Sequence, residues 1–137
     1  METSFGQYVI SDDKQRIDVQ IVIDFLATSY WASKRTPEKI RQSIENSLCY
    51  GVYDGEKMIG FARIITDGVT MYYLCDVFVL EAYRQQGISK ELVRVITESS
   101  EFAGMTGMLG TKDAHGLYEQ YGFERDQERF MRRTPRN

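Results

Sequence analysis

A chain of 137 residues is long enough to bury one core without metals or disulfide staples, and 42% hydrophobic residues, 27% charged residues and two prolines are the figures of one globular domain spanning residues 1–137. A net charge of -3 with a pI near 5.2 excludes the overall basic field that drives binding to nucleic acid, so no nucleic-acid partner is expected. No apolar segment approaches bilayer length and no charged n-region precedes an apolar run, so no membrane partner is expected and the cytoplasm is the expected location.

In chain order, Ile17, Ile21, Val22, Phe25 and Leu26 recur at helical spacing and predict a first helix from about Asp18 to Tyr30. After an aromatic loop, SYWASKR, a second helix is predicted with Thr36 as N-cap, Pro37 in its first turn and Ile40, Ile44 and Leu48 on one face. CYGVYDGEKMIGFARIIT holds two β-rich runs around Asp54-Gly55, a hairpin signal whose turn can extend through Lys57. A second Asp-Gly pair, Asp67-Gly68, leads into VTMYYLCDVFVL, so three strands form an antiparallel meander. The third run is apolar almost throughout, as in a strand covered on both faces, and is predicted to be central. Cys49 and Cys75 lie in strand-like apolar runs, which suits reduced buried thiols.

The stretch YRQQGISKEL then exposes a polar corner between that strand and a helix beginning near Ile88. A helix N-terminus presents unpaired N–H groups and the positive end of its dipole, which suits a phosphate. Gly87 permits close approach, Ser89 adds a hydroxyl, and Arg84 can fork onto an oxygen. The Walker pattern and the Rossmann glycine triplet are both absent. Beyond the corner, Leu92, Val93, Ile96 and Phe102 predict a helix stopping near Gly104. GMLGT reads as a short strand, DAHGLYEQYGF as a short helix ending at Gly122, and ERFMRR as a last strand. A strand–helix–strand run implies a right-handed crossover and a locally parallel pair inside a mixed sheet.

With this element order, two motifs resemble the GNAT superfamily of acyl-CoA-dependent N-acyltransferases. Arg84, Gly87 and Ser89 occupy the marked positions of the family's Arg/Gln-x-x-Gly-x-Gly/Ala loop. Ala114, Tyr118, Gly122 and Phe123 match its later Ala-x-x-x-Tyr-x-x-x-Gly-Phe signature. The third loop position is Ser89 rather than Gly or Ala, Gln85 and Gln86 carry no charge, and Thr111 replaces a common asparagine. The resemblance covers nearly the whole chain. It implies an α/β fold of the α+β kind: a mixed, largely antiparallel sheet of about six strands flanked by about four helices.

The resemblance also implies a function: transfer of an acetyl group from acetyl-CoA to a primary amine of a small molecule or peptide, by direct attack in a ternary complex. The loop from Arg84 through Gln85, Gln86, Gly87, Ile88, Ser89 and Lys90 would grip the coenzyme pyrophosphate, with Thr111 nearby and the main chain of Phe78 and Val79 along the pantetheine arm. Tyr118 matches the general acid that protonates the leaving thiolate. The attacking amine must be neutral although a lysine-like amine has a pKa of about 10.4, so a base or a desolvating pocket is needed. Asp76, the one acid between Met71 and Leu80, can serve as that base, directly or through a water, or can instead bind a cation or a structural partner. Tyr30, Trp31, Arg63, Tyr72 and Tyr73 are implied for the acceptor pocket, where Arg63 can hold a carboxylate. His115 is the sole histidine and no ligands are spaced around it, so no metal is expected. The alternatives are a non-catalytic acyl-CoA-binding regulatory module and a cysteine enzyme using Cys75 with His115. Many family members form homodimers, though no residue here marks an interface.

Overall fold

The computed structural model describes residues 1–135. Two short strands, β1 (Glu2–Phe5) and β2 (Tyr8–Ser11), turn at Gly6, whose φ of 58° suits a residue without a Cβ. Helix α1 (Val19–Ala27) starts where Asp18 caps Ile21 N–H, and α2 (Pro37–Glu45) where Thr36 caps Lys39 N–H with Pro37 in the first turn. The meander follows as β3 (Leu48–Asp54), β4 (Lys57–Thr66) and β5 (Met71–Val79), its second turn fixed by the Asp67 carboxylate, which accepts from the N–H groups of Val69 and Thr70. Then come α3 (Ile88–Thr97), β6 (Thr106–Leu109) and α4 (His115–Glu119).

The strands form one sheet in the order β1-β2-β3-β4-β5-β6, antiparallel except for the parallel pair β5/β6 that α3 connects. The expected mixed sheet with four helices is therefore observed. Two details differ. The N-terminal hairpin extends the sheet beyond β3, and the expected last strand in ERFMRR does not form. Phe130 and Met131 are adjacent, so in a strand they would point to opposite faces, and both stand exposed. With no strand beyond β6 among the described residues, the third meander strand β5 is interior but second from the edge rather than central.

Each sheet face carries its own core. On one side α3 lays down Ile88, Leu92, Val93 and Ile96 against Tyr50, Val52, Ile64 and Leu74. On the other, Val22, Ile23 and Leu26 of α1 with Ile40 and Ile44 of α2 cover Cys49, Phe61 and Phe78. Replacing a fully buried Leu such as Leu92 with Ala costs about 2–5 kcal/mol. A bulge sets β5 apart: Phe61 opposes Phe78 and Arg63 opposes Cys75, so Asp76 and Val77 together face Ala62. Asp76 takes the positive φ of 53° that this requires. Tyr72 and Leu74 thus point to the α3 side, whereas Asp76 and Phe78 turn to the α1/α2 side.

Candidate active site

The parallel pairing of β5 with β6 ends at Leu74 and Leu109, so Cys75 to Val79 have β4 on one side and no strand on the other. The gap opens into a cavity of about 1190 Å³ that reaches from Trp31, Arg35 and Asp76 at one end to Arg84 and Ser89 at the other. Leu80 gives its N–H to the Ile59 carbonyl of β4, so by strand alternation the N–H and C=O of Val79 point into the gap. The Val79 carbonyl accepts there from Arg84 Nε at 3.1 Å. The same alternation turns the Phe78 main chain toward β4, and its ring lines the cavity, stacked on Phe25 at 4.0 Å.

At the far end the chain enters α3 through two left-handed residues, Gln85 (φ 65°) and Gly87 (φ 78°), and no side chain caps the helix. The N–H groups of Gln85, Gln86, Gly87, Ile88, Ser89 and Lys90 find no acceptor among the described residues. Successive amides freed in this way form a nest that suits a diphosphate, reinforced by the helix dipole. The Ile88 side chain is buried in the core, so it offers its main chain alone, and Gln86 Oε1 accepts from the Tyr8 hydroxyl at 2.6 Å. Arg84 and Ser89 line the cavity. Thr111 lines it too, its hydroxyl accepting from Ala114 N–H at 3.1 Å and so closing the turn into α4.

At the other end Asp76 is almost fully buried and accepts four hydrogen bonds. They come from Trp31 Nε1 at 2.9 Å, Arg35 Nη1 at 3.0 and 2.9 Å, and Arg63 Nε at 2.9 Å. Burial pushes the carboxyl up, but the charge and hydrogen bond of Arg63, followed by Arg35 and Trp31, outweigh it and hold the group below the ordinary aspartate value. A carboxylate offers about four lone-pair sites, and these four hydrogen bonds, from three donor atoms, fill them. Asp76 is therefore a carboxylate held between two arginines. Arg63 also donates to Ser47 Oγ at 3.0 Å.

Tyr118, on α4, also lines the cavity and is 9% exposed. Its hydroxyl makes no hydrogen bond within the described residues, and burial pushes its pKa up to about 12, with Tyr30 and Asp113 adding to the shift, so it is a protonated donor at neutral pH. Tyr30, Trp31, Arg63 and Tyr73 line the same cavity. Tyr72 does not: it lies on the opposite face, packed on Phe102 at 4.9 Å. Cys75 lines this cavity and His115 a second one of about 620 Å³, and burial lifts the Cys75 thiol to about 11, so no activated thiolate arises. Among the described residues no group of three or more His, Cys, Asp or Glu is placed to hold a metal, and no helix is long and apolar enough to cross a membrane.

The sequence reading missed Arg35 and Arg132, which also line the cavity. Neither sits in a motif: Arg35 ends the loop between α1 and α2, and its partner is 41 residues away. Its place in the loop assigned to the acceptor was the one signal available.

Comparison with known proteins agrees with this geometry. Residues 45–125 match the family model for the acetyltransferase (GNAT) domain. A candidate GNAT-family acetyltransferase from Xanthomonas campestris pv. campestris superposes with a TM-score of 0.90 at 32% identity, covering 96% of both chains. A protein of unknown function from meticillin-resistant Staphylococcus aureus, described as a probable acetyltransferase, shares the fold with a TM-score of 0.77 at 21% identity, over 95% of this chain and 99% of that one. The candidate acetyltransferase FG08082 of Gibberella zeae is 24% identical over 114 residues, 69% of this chain, and the chain spans 64% of that relative's length. With a family model over more than half its residues and a full-length relative at that identity, the chain belongs to the GNAT acetyltransferase family.

Proposed function

We propose that this chain moves an acetyl group from acetyl-CoA to a primary amine of a small molecule or peptide, by direct attack within a ternary complex. The observation that carries the reading is a cavity lined by Arg84, Ser89 and Tyr118 beside six unpartnered amides at residues 85–90. The nest and Arg84 suit the coenzyme diphosphate, and the upturned Val79 N–H suits the pantetheine arm or the thioester oxygen. Acetyl-CoA, when bound, supplies the activated acyl group.

In the reaction a C–N bond replaces the thioester C–S bond. Tyr118 donates its proton to the departing sulfur, the amine loses a proton to solvent, and Tyr118 regains one from solvent, which closes the cycle with free thiol and amide as products. Asp76 acts as the fixed anion that positions Arg35, Arg63 and Trp31, rather than as the base. Purified protein with acetyl-CoA and an amine panel should release free thiol only when an amine is present.

The second reading, a non-catalytic acyl-CoA-binding module, draws support from the commitment of Asp76 to Trp31, Arg35 and Arg63, which takes it out of the role of base. Under it acetyl-CoA binds but no amine provokes thiol release.

A further inference from the structure

The two ends of the cavity differ in charge. At the Trp31 end, Arg35 and Arg63 converge on one carboxylate, Asp76, which leaves a surplus positive charge in a pocket walled by aromatic rings. Arg63 is nearly buried, with Nε and Nη1 committed to Asp76 and Ser47. Arg35 is different. Its side chain is 28% exposed, it lines the cavity, and its bonds to Asp76 use Nη1 alone. Nε and Nη2, the edge of the guanidinium that forks onto a carboxylate, have no partner among the described residues. The other acids of the cavity, Glu81 and Asp113, lie on the segments leading into α3 and α4 and pair with neither arginine.

We propose that Arg35 holds a carboxylate carried by the acceptor, which makes the substrate an amino acid or a similar small carboxylate-bearing amine. The proposal rests on the acetyl-transfer reading and names its acceptor class. Asp76 already fixes the guanidinium by gripping Nη1 with both oxygens, so little side-chain freedom remains to be lost when the fork engages. Trp31 and Tyr30, in edge-to-face contact at 5.1 Å, flank this end of the cavity, both partly exposed. The same surplus charge disfavours the ammonium form of an amine tethered beside it. With Asp76 committed to its donors, the Trp31 end thereby gains a way to present a neutral nucleophile.

The test compares standard amino acids with their carboxamides, their decarboxylated amines and phosphate-bearing amines as acceptors, by thiol release from acetyl-CoA. The proposal expects kcat/KM for the best amino acid to exceed that of its carboxamide at least about tenfold. Arg35→Gln should erase that ratio by lowering the acid's rate far more than the carboxamide's, and Arg35→Lys, which keeps the charge without the fork, should retain part of it. Carboxamides or decarboxylated amines used equally well, or a preference for phosphate-bearing amines, would overturn the proposal. A second readout does not depend on turnover. Trp31 is the sole tryptophan, so its fluorescence reports this end of the cavity directly. Titration with N-acetyl amino acids should quench it saturably where their amides do not, and Arg35→Gln should abolish the effect. Equal quenching by acid and amide, or none, contradicts the carboxylate site even if no amine is ever acetylated, whereas acid-selective quenching without turnover contradicts the transferase reading alone.

Discussion

Arg63 and Asp76 meet at 2.9 Å across a bulge, although the strand ladder opposes Arg63 to Cys75. The extra residue in β5 is what turns the Asp76 carboxylate onto the face where Arg63, Arg35 and Trp31 wait. One irregularity in one strand therefore builds the Trp31 end of the cavity.

Asp76→Asn tests that anchor. Asn tolerates the left-handed backbone of this position, so the substitution removes charge without adding strain. Leaving Arg63 buried and unpaired should cost about 3–5 kcal/mol, read from urea unfolding.

The acid limb of stability follows from the same group. Because the folded carboxyl sits below the unfolded value, it contributes stability above the ordinary aspartate pKa and loses it as pH falls through the lower, folded value. The parent should thus show an acid-dependent loss below about pH 4 that Asp76→Asn diminishes. No activity inflection from Asp76 is expected between pH 5 and 8 (about one unit above the unfolded value and higher), and finding one that vanishes in the variant would restore it as the base.

Tyr118→Phe should lower turnover by about 10²-fold or more while sparing acetyl-CoA affinity, since the hydroxyl is needed as the sulfur departs. Folding should change little, because the hydroxyl has no hydrogen bond to lose among the described residues. With a folded pKa of about 12, the stability contributed by the protonated phenol is complete below about pH 10 and declines as pH rises toward that value. An unchanged saturating rate removes Tyr118 as the acid.

Gly87→Ala places a Cβ on a residue with φ of 78° in the middle of the amide nest. The expected cost is about 1–2 kcal/mol of stability, together with weaker acetyl-CoA binding measured by calorimetry. Arg84→Ala should weaken binding without the stability loss. Equal affinity in both variants would detach the nest from the coenzyme.

Cys75→Ala should retain activity within a few-fold, because the thiol is protonated at neutral pH and lines a different cavity from His115. Abolished thiol release would revive the cysteine mechanism.

How much of this was legible in the sequence varied with the range of the interaction. Local signals were reliable: Asp18 and Thr36 cap their helices, Asp67 closes its turn, and the polar corner at Arg84–Ser89 is the helix entry its residues indicated. The parallel crossover also followed from element order. The first hairpin escaped because strands of four residues around Gly6 give too short a pattern to read. The expected last strand in ERFMRR does not form because Phe130 and Met131 present no single apolar face to bury. Tyr72 and Tyr73 look equivalent in sequence, and only strand alternation sends the first to the α3 core and the second to the cavity. The bulge at Asp76 and the reach of Arg35 depend on tertiary pairing, for which no local pattern exists.

The most direct measurement is calorimetric titration of the purified chain with acetyl-CoA. The account predicts saturable binding at one site per chain, weakened by Gly87→Ala. No heat of binding at millimolar acetyl-CoA would contradict it, because the unpartnered amides at the head of α3 would then be free of any coenzyme role.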